Sequence, residues 1–380
     1  MSFDNTRRNI LKFITGGFLL VFSGLSGTSK KLIKPDTIEK NNNSIISVTD
    51  LPLSGPWPTV DPFLFCVHHN DIYPTAKNDL SPDASLLGRN IGSDFSNKDG
   101  WSMYHGEKVP GFPRHPHRGF ETLTVVSEGI IDHADSLGAS ARYGDGDAQW
   151  LTAGDGINHS EMFPLLNQNG KNKLDFFQIW LNLPSHNKRV EPNFEMYWKN
   201  DIPKISDSSS GNKNLEVELV TGDYQGTLAP IAPKNSWAND KKNDVAVWII
   251  RLDKRGEFFI PQTQSGANRN LYILKNSNIE IDGDIIPDHS MVALNASKKT
   301  VIKNLGEKTK LLMLQGVPIN EPVVKYGPFV MNSKREIEQA FSDYHKNEFG
   351  GWKWGSSDPV HGMGKDKFAK LINGKIVKPS

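Results

Sequence analysis

A single cysteine, Cys66, leaves this 380-residue chain no internal disulfide, so its stability has to come from packing. An excess of one charge is missing as well. Lys and Arg number 44 against 43 Asp and Glu, for a formal charge of +1, and the basic residues are scattered among the acids. That balance excludes the footprint of a nucleic-acid-binding protein or of one drawn to anionic membranes. A convincing membrane span is also lacking, since the apolar stretch from Phe13 to Leu25 is too short and too rich in glycine. What is present suffices for two cores: 37% hydrophobic residues and nine tryptophans. Cys66 itself, in Phe63-Leu-Phe-Cys-Val, reads as a buried, inert thiol on an apolar strand.

Gly111 to Pro164 is the stretch around which the chain is organised. It carries two pairs of metal-ligating residue types, His115/His117 and His159/Glu161, each separated by one residue. Successive side chains of a strand point to opposite faces, so each pair aims two ligands at one side. Between them, Thr122-Leu-Thr-Val-Val, Ile130 to His133 and Gln149-Trp-Leu-Thr-Ala read as strands, broken by Gly129, Asp135-Ser-Leu-Gly-Ala and Gly144-Asp-Gly-Asp. Short strands with turns at this spacing predict a sandwich or barrel of antiparallel strands. In such a fold the pairs can face each other across the mouth. Three imidazoles and a carboxylate suit iron, manganese, nickel, copper or zinc and leave coordination positions open. A lone His-x-His recurs by chance; the combination on predicted strands is what points to a metal.

Longer motifs decide the matter. His115-Pro-His-Arg-Gly-Phe-Glu-Thr, His133-x-Asp-Ser-x-Gly, Asp147-Ala-Gln-Trp-Leu-Thr-Ala-Gly and Gly156-Ile-Asn-His-Ser-Glu together resemble the signature of the pirin family, within the cupin superfamily. The resemblance extends through Gly316-Val-Pro-Ile-Asn-Glu-Pro-Val-Val, Tyr326-Gly-Pro-Phe-Val-Met-Asn and Gly351-Trp-Lys-Trp with Asp358-Pro-Val-His-Gly. It implies an all-β fold of two tandem cupin barrels, a bicupin, with metal in the N-terminal barrel. It also implies His115, His117, His159 and Glu161 as ligands, with Glu161 doubling as the catalytic residue. The general cupin pattern would instead use Glu121, four residues after His117; pirins use the position of Glu161, which leaves Glu121 as a partner orienting a ligand imidazole.

The activity implied is that of a quercetin 2,3-dioxygenase, with iron(II) as cofactor and a flavonol-like substrate plus O2 as partners. Manganese, nickel, copper and zinc are the other metals the donors suit. The second function in the family is redox-sensitive binding of a regulatory partner without turnover. One departure stands beside the site: pirins usually read Thr-Ala-Gly-Arg-Gly, and this chain has Thr152-Ala-Gly-Asp-Gly. The charge reversal at Asp155 is expected to alter substrate preference or redox behaviour.

In chain order, residues 1–30 are expected to be a signal segment. Thr6-Arg-Arg-Asn-Ile-Leu-Lys fits the twin-arginine export signal, which places the protein in the periplasm, or at the membrane should the signal stay uncleaved. That route moves folded proteins, so a cytoplasmic metal could be loaded before export. Residues 31–46 form a polar linker, 47–184 the metal-binding cupin domain, 185–332 a second cupin domain and 333–380 a helix and tail; a monomer is expected. Phe176, Gln178 and Trp180 share one strand face and could wall the pocket. His105 reads as a surface histidine. The second barrel offers Gln262-Thr-Gln264 and Asn268-Arg-Asn270 where the first has histidines, and so no metal is expected there. Ser333 with Glu336, then Ile337, Ala340, Phe341 and Tyr344 on one stripe, predicts a capped amphipathic helix. An aromatic strap with Trp352 and Trp354 should follow it, then a hairpin around Asn373-Gly.

Overall fold

The computed structural model describes residues 43–206 and 214–380. The predicted signal segment and most of the linker lie outside the described residues, as does part of the polar stretch from Asp201 to Asn214. Ten strands precede the second domain. They are β1 (Ile45–Asp50), β2 (Phe63–Tyr73), β3 (Gly111–His117), β4 (Phe120–Glu128) and β5 (Ile130–Asp135). β6 (Ser140–Gly144), β7 (Ala148–Thr152), β8 (Ile157–Met162), β9 (Asn172–Asn182) and β10 (Asn193–Tyr197) complete that series. The second domain contributes β11 (Lys204–Ser206), β12 (Leu215–Thr221), β13 (Ala246–Leu252), β14 (Glu257–Ile260) and β15 (Asn268–Ile273). It continues with β16 (Ile279–Ile281), β17 (Asp284–Ile286), β18 (Ser290–Asn295), β19 (Thr300–Asn304) and β20 (Thr309–Gly316). A hairpin of β21 (Val324–Tyr326) and β22 (Phe329–Met331), helix α1 (Lys334–Asn347), and the pair β23 (Phe368–Lys370) and β24 (Ile376–Val377) follow.

Two sheets make the first barrel, in the orders β10-β7-β4-β9-β2 and β24-β23-β6-β5-β8-β3. Its interior holds Val126, Ile131, Tyr143, Leu151, Phe163 and Phe176. A seven-stranded sheet, β1-β18-β15-β20-β13-β12-β11, and a four-stranded one, β14-β19-β16-β17, make the second. Ile250, Ile273, Ile281, Ile302 and Met313 are in the core of that one, and buried Arg269 donates from Nε to Gln315 Oε1 at 2.6 Å. The chain is therefore an all-β bicupin. Between the barrels lies a further core, where Leu123, Val125, Phe177 and Ile179 pack against Val247, Ile249, Tyr272 and Leu312. Strands β4, β9 and β13 bury both faces, which is why they read as nearly continuous apolar runs rather than alternating ones. Cys66 is in this inter-domain core, and burial pushes its thiol pKa far up, as an inert thiol requires.

The two ends of the described chain cross over. β1, expected in the first domain from residue 47, pairs with β18 and so extends the second barrel. β23 pairs with β6, returning the C-terminal hairpin to the first barrel, while β23 and β24 flank the Asn373-Gly turn. Helix α1 is capped as its sequence predicts. Ser333 Oγ accepts from the Glu336 N–H, and the Glu336 carboxylate accepts from the Asn332 N–H at 3.1 Å. Ile337, Ala340 and Tyr344 are its buried residues, packed on Phe329 and Met331.

Candidate metal centre

Antiparallel pairing of β3 with β8 builds the centre. His115 stands opposite His159, and His117 opposite Ile157. Directly opposed residues share a face, so the histidines of both strands project into the barrel. Their ring centroids are 4.4 Å (His115 to His159), 4.8 Å (His115 to His117) and 4.9 Å (His117 to His159) apart. One nitrogen from each of the three lies within 4.8 Å of the others, and all three residues are buried. Glu161 is at the edge of this trio: its Oε2 is 4.0 Å from His159 Nε2. The structure thus brings the three histidines together and puts the carboxylate alongside.

Two local features fix the geometry. Gly111 approaches β8 so closely, at φ 135°, that a Cβ would lie 2.5 Å from the Glu161 carbonyl oxygen. Past it, β3 carries one extra residue between Phe112 and His115, a β-bulge at the edge of its sheet. Pro113 has no N–H to lose there. The Arg114 N–H donates to the Ser357 carbonyl of the C-terminal tail at 2.6 Å. Within the bulge the Pro113 carbonyl oxygen is 2.9 Å from His115 Nδ1. A carbonyl can only accept, so Nδ1 carries the proton and the Nε2 lone pair is left to bind a cation.

Electrostatics favour the same use. Burial lowers the His115 pKa to about 4, and burial with the neighbouring imidazoles holds His117 and His159 well below the ordinary value. Neutral imidazoles are what metal ligation needs. Neither ring nitrogen of His159 has a hydrogen-bond partner, although the side chain is wholly buried. Such orphaned polar atoms are rare unless something else satisfies them, and a metal would take one of the two. The donor set fits a transition metal.

Three neighbours of the ligands lie outside the predicted ligand set, one of them, Gln178, already expected on the pocket wall. The Thr124 hydroxyl is 3.1 Å from Glu161 Oε1, and Gln178 Nε2 donates to Glu161 Oε2 at 3.1 Å. Gln178 lies on the pocket-facing side of β9 with Phe176 and Trp180, as strand alternation predicts. His133, buried and 5.6 Å from the His159 ring, pairs with Asp135 at 3.2 Å. It opposes Glu161 in the β5–β8 ladder. Its motif is visible in the sequence, but its place depends on a pairing that the sequence does not spell out.

Glu121 corrects an expectation. It does not touch the ligand imidazoles. It shares a β4 face with Leu123 and Val125, the inter-domain face, and accepts hydrogen bonds from Thr152 Oγ1 at 2.7 Å and Ser236 Oγ at 2.6 Å. Strand alternation is the reason: the site-facing residues of β4 are Thr122 and Thr124. His105 is corrected too, being buried with Nδ1 2.9 Å from the Gly92 carbonyl oxygen. It is outside the trio. Asp155 sits at the rim, where Arg118 Nη2 and Arg189 Nε donate to its Oδ1 at 2.9 and 2.7 Å, so its charge is matched by adjacent guanidiniums.

A bicupin with a buried three-histidine cluster and an adjoining carboxylate is the class that fold and site define. The chain belongs to the pirin family. The Pirin model matches residues 57–181, and the Pirin C-terminal cupin domain model matches residues 247–350. A Solanum lycopersicum pirin-like protein is 33% identical over 276 residues, covering 70% of this chain and 88% of its own. A Pseudomonas aeruginosa relative, provisionally named a quercetin 2,3-dioxygenase, is 31% identical over 239 residues, 63% of this chain and 79% of its own. The fold is shared with a crystal structure of quercetin 2,3-dioxygenase from Acinetobacter baumannii at TM-score 0.64 and 24% identity, covering 82% of this chain and all of that one.

Proposed function

We propose that the protein is a quercetin 2,3-dioxygenase-type oxidoreductase that uses iron(II) and O2 to open the central ring of a flavonol, or of a related enol or phenol, with release of carbon monoxide. The observation that carries this reading is the convergence of three buried imidazoles with the Glu161 carboxylate at their edge. Iron(II) held there would supply a Lewis acid able to bind a chelating substrate oxygen and O2 side by side.

The chain's own residues do the rest. His115, His117 and His159 would hold the metal. Glu161 would complete the set and take the proton of the substrate hydroxyl. Burial raises its pKa above the ordinary carboxylate value, which makes it a stronger proton acceptor than an exposed carboxylate. Thr124 and Gln178 keep it facing the cluster. Trp180 packs on His117 at 5.4 Å between ring centroids, and Phe120 on the same imidazole at 5.0 Å, keeping water from that side. The provisional name of the Pseudomonas aeruginosa relative supports the reaction class. Thr6-Arg-Arg-Asn-Ile-Leu-Lys supports a second part of the proposal, export of the folded, metal-loaded protein to the periplasm.

Anaerobic reconstitution with Fe(II), followed by oxygen uptake and carbon monoxide release on adding flavonols or catechols, tests the reaction. Uptake with carbon monoxide release in step is expected for a flavonol. No uptake across the panel would overturn it and leave the redox-sensitive binding role.

A further inference from the structure

The β-bulge of β3 has a second effect, on Phe112. Phe112 and His115 are three positions apart, with Pro113 and Arg114 between them, so in a regular strand they would point to opposite faces. The extra residue removes that alternation: Phe112 stands opposite Glu161, as His115 stands opposite His159. Both therefore face the barrel interior, with ring centroids 6.4 Å apart. Re-aiming a side chain beside a site is a recurrent use of bulges.

The surroundings of Phe112 are aromatic. β2 and β3 are the edge strands of their two sheets, and residues 74–110 connect them. This segment is firmly built. Arg89 donates to Asp94 Oδ2 at 2.9 Å and to the Trp101 carbonyl at 2.8 Å, and its guanidinium lies 3.5 Å over the Trp101 ring. The segment sets Tyr104 5.3 Å and His105 5.7 Å from Phe112, and carries Phe95 at 6.5 Å. Phe95 is 40% exposed and Phe112 half-buried. A file of rings thus runs from solvent at Phe95 through Phe112 to the ligand His115. Beside the other ligand, Trp180 packs on His117 and stacks on half-buried Phe65 at 4.6 Å.

We propose that Phe112, presented by the bulge, is the specificity-determining residue of the metal centre, and that with Phe95 outside it and Phe65 and Trp180 beside His117 it selects planar aromatic ligands. The inference rests on the dioxygenase reading for the chelating oxygen of the ligand and names the part of the ligand that the protein recognises. Ring against ring, held by fixed side chains, favours a flat polycyclic phenol over an aliphatic chelator of equal metal affinity.

The test is anaerobic binding to full-length protein loaded with redox-inert Zn(II), followed by tryptophan fluorescence, with quercetin and ring-free acetohydroxamate as probes. Phe112→Ala should weaken quercetin about tenfold, Phe112→Leu about threefold and Phe95→Ala about twofold to threefold, with acetohydroxamate changed by less than about twofold. Zinc content and thermal melting of each variant establish that the centre and fold persist, and Phe95→Ala, at a surface ring, reports even if Phe112→Ala unfolds. Wild-type protein that does not bind quercetin, or variants that bind it as wild type does, would overturn the inference. Quercetin binding that Phe112→Leu weakens, without turnover of the iron form, would uphold it while the dioxygenase reading fails.

Discussion

Ser236 donates its hydroxyl to Glu121 at 2.6 Å across the inter-domain interface, tying the second domain to the face of β4 that points away from the metal centre. The carboxyl is fully buried, and burial pushes its pKa up to about 7 from an ordinary 4.5. The folded value is the higher one, so the stability this group contributes is fully present below about pH 4.5 and is lost as pH rises through about 7. Glu121→Gln keeps the shape without the charge. Its Tm relative to wild type should therefore rise by a few °C between pH 5 and 8.5, with metal content unchanged. Parallel Tm curves would contradict this.

The ligand histidines work in the opposite sense. His115 is lowered to about 4, and His117 and His159 lie well below the ordinary value. The contribution of such groups to stability is present above about pH 6.5 and is lost as pH falls toward 4. Metal-free protein should accordingly become easier to denature with urea from pH 6.5 downward. In the folded state few protons compete for the three imidazoles until pH falls well below 6, so zinc affinity should show no steep step centred on the ordinary histidine value of about 6.5. A steep loss centred near pH 6.5, measured with a competing chelator, would show that these imidazoles titrate as exposed ones do.

Thr124 and Gln178 orient Glu161 without being ligands. Thr124→Val or Gln178→Ala should weaken metal binding by about tenfold to a hundredfold, as loss of hydrogen bonds behind a ligand does. Competition titration with a chromogenic chelator reads this directly. Unchanged affinity in both variants would mean that Glu161 is positioned by other contacts.

Asp155 accepts from Arg118 and Arg189, and Arg118 donates a third hydrogen bond to Asp343 of α1 at 2.7 Å while lying 4.7 Å over the Phe349 ring. Asp155→Arg, which restores the residue usual in the family, would add a third guanidinium to two. A loss of about 1–2 kcal/mol in stability is expected, since Arg118 is buried and keeps only Asp343 as a charged partner. Metal content should be unaffected. An equally stable Asp155→Arg protein would show that the cluster contributes nothing.

Much of this architecture is legible in local chemistry. The i, i+2 spacing of His115/His117 and His159/Glu161 sends each pair to one face, and Ser333 with Glu336 starts α1 where the capping pattern says it should. What escapes a linear reading depends on partners distant in sequence. β1 is short and exposed along most of its length, and its pairing with β18 spans more than two hundred residues. Glu121 and Thr124 are three residues apart on one strand, and only the knowledge that β4 is covered on both sides tells which face meets the metal. The bulge at Pro113 and Arg114 shifts Phe112 to the site face, a shift that a strict count of alternation misplaces.

The most direct test of the metal centre is elemental analysis after anaerobic loading with Fe(II) and removal of loose metal, comparing wild type with His159→Ala and Glu161→Gln. One iron per wild-type chain, none in His159→Ala and only a small fraction in Glu161→Gln is the expected result. Full iron in His159→Ala, or none in wild type, would contradict a metal centre at these four residues.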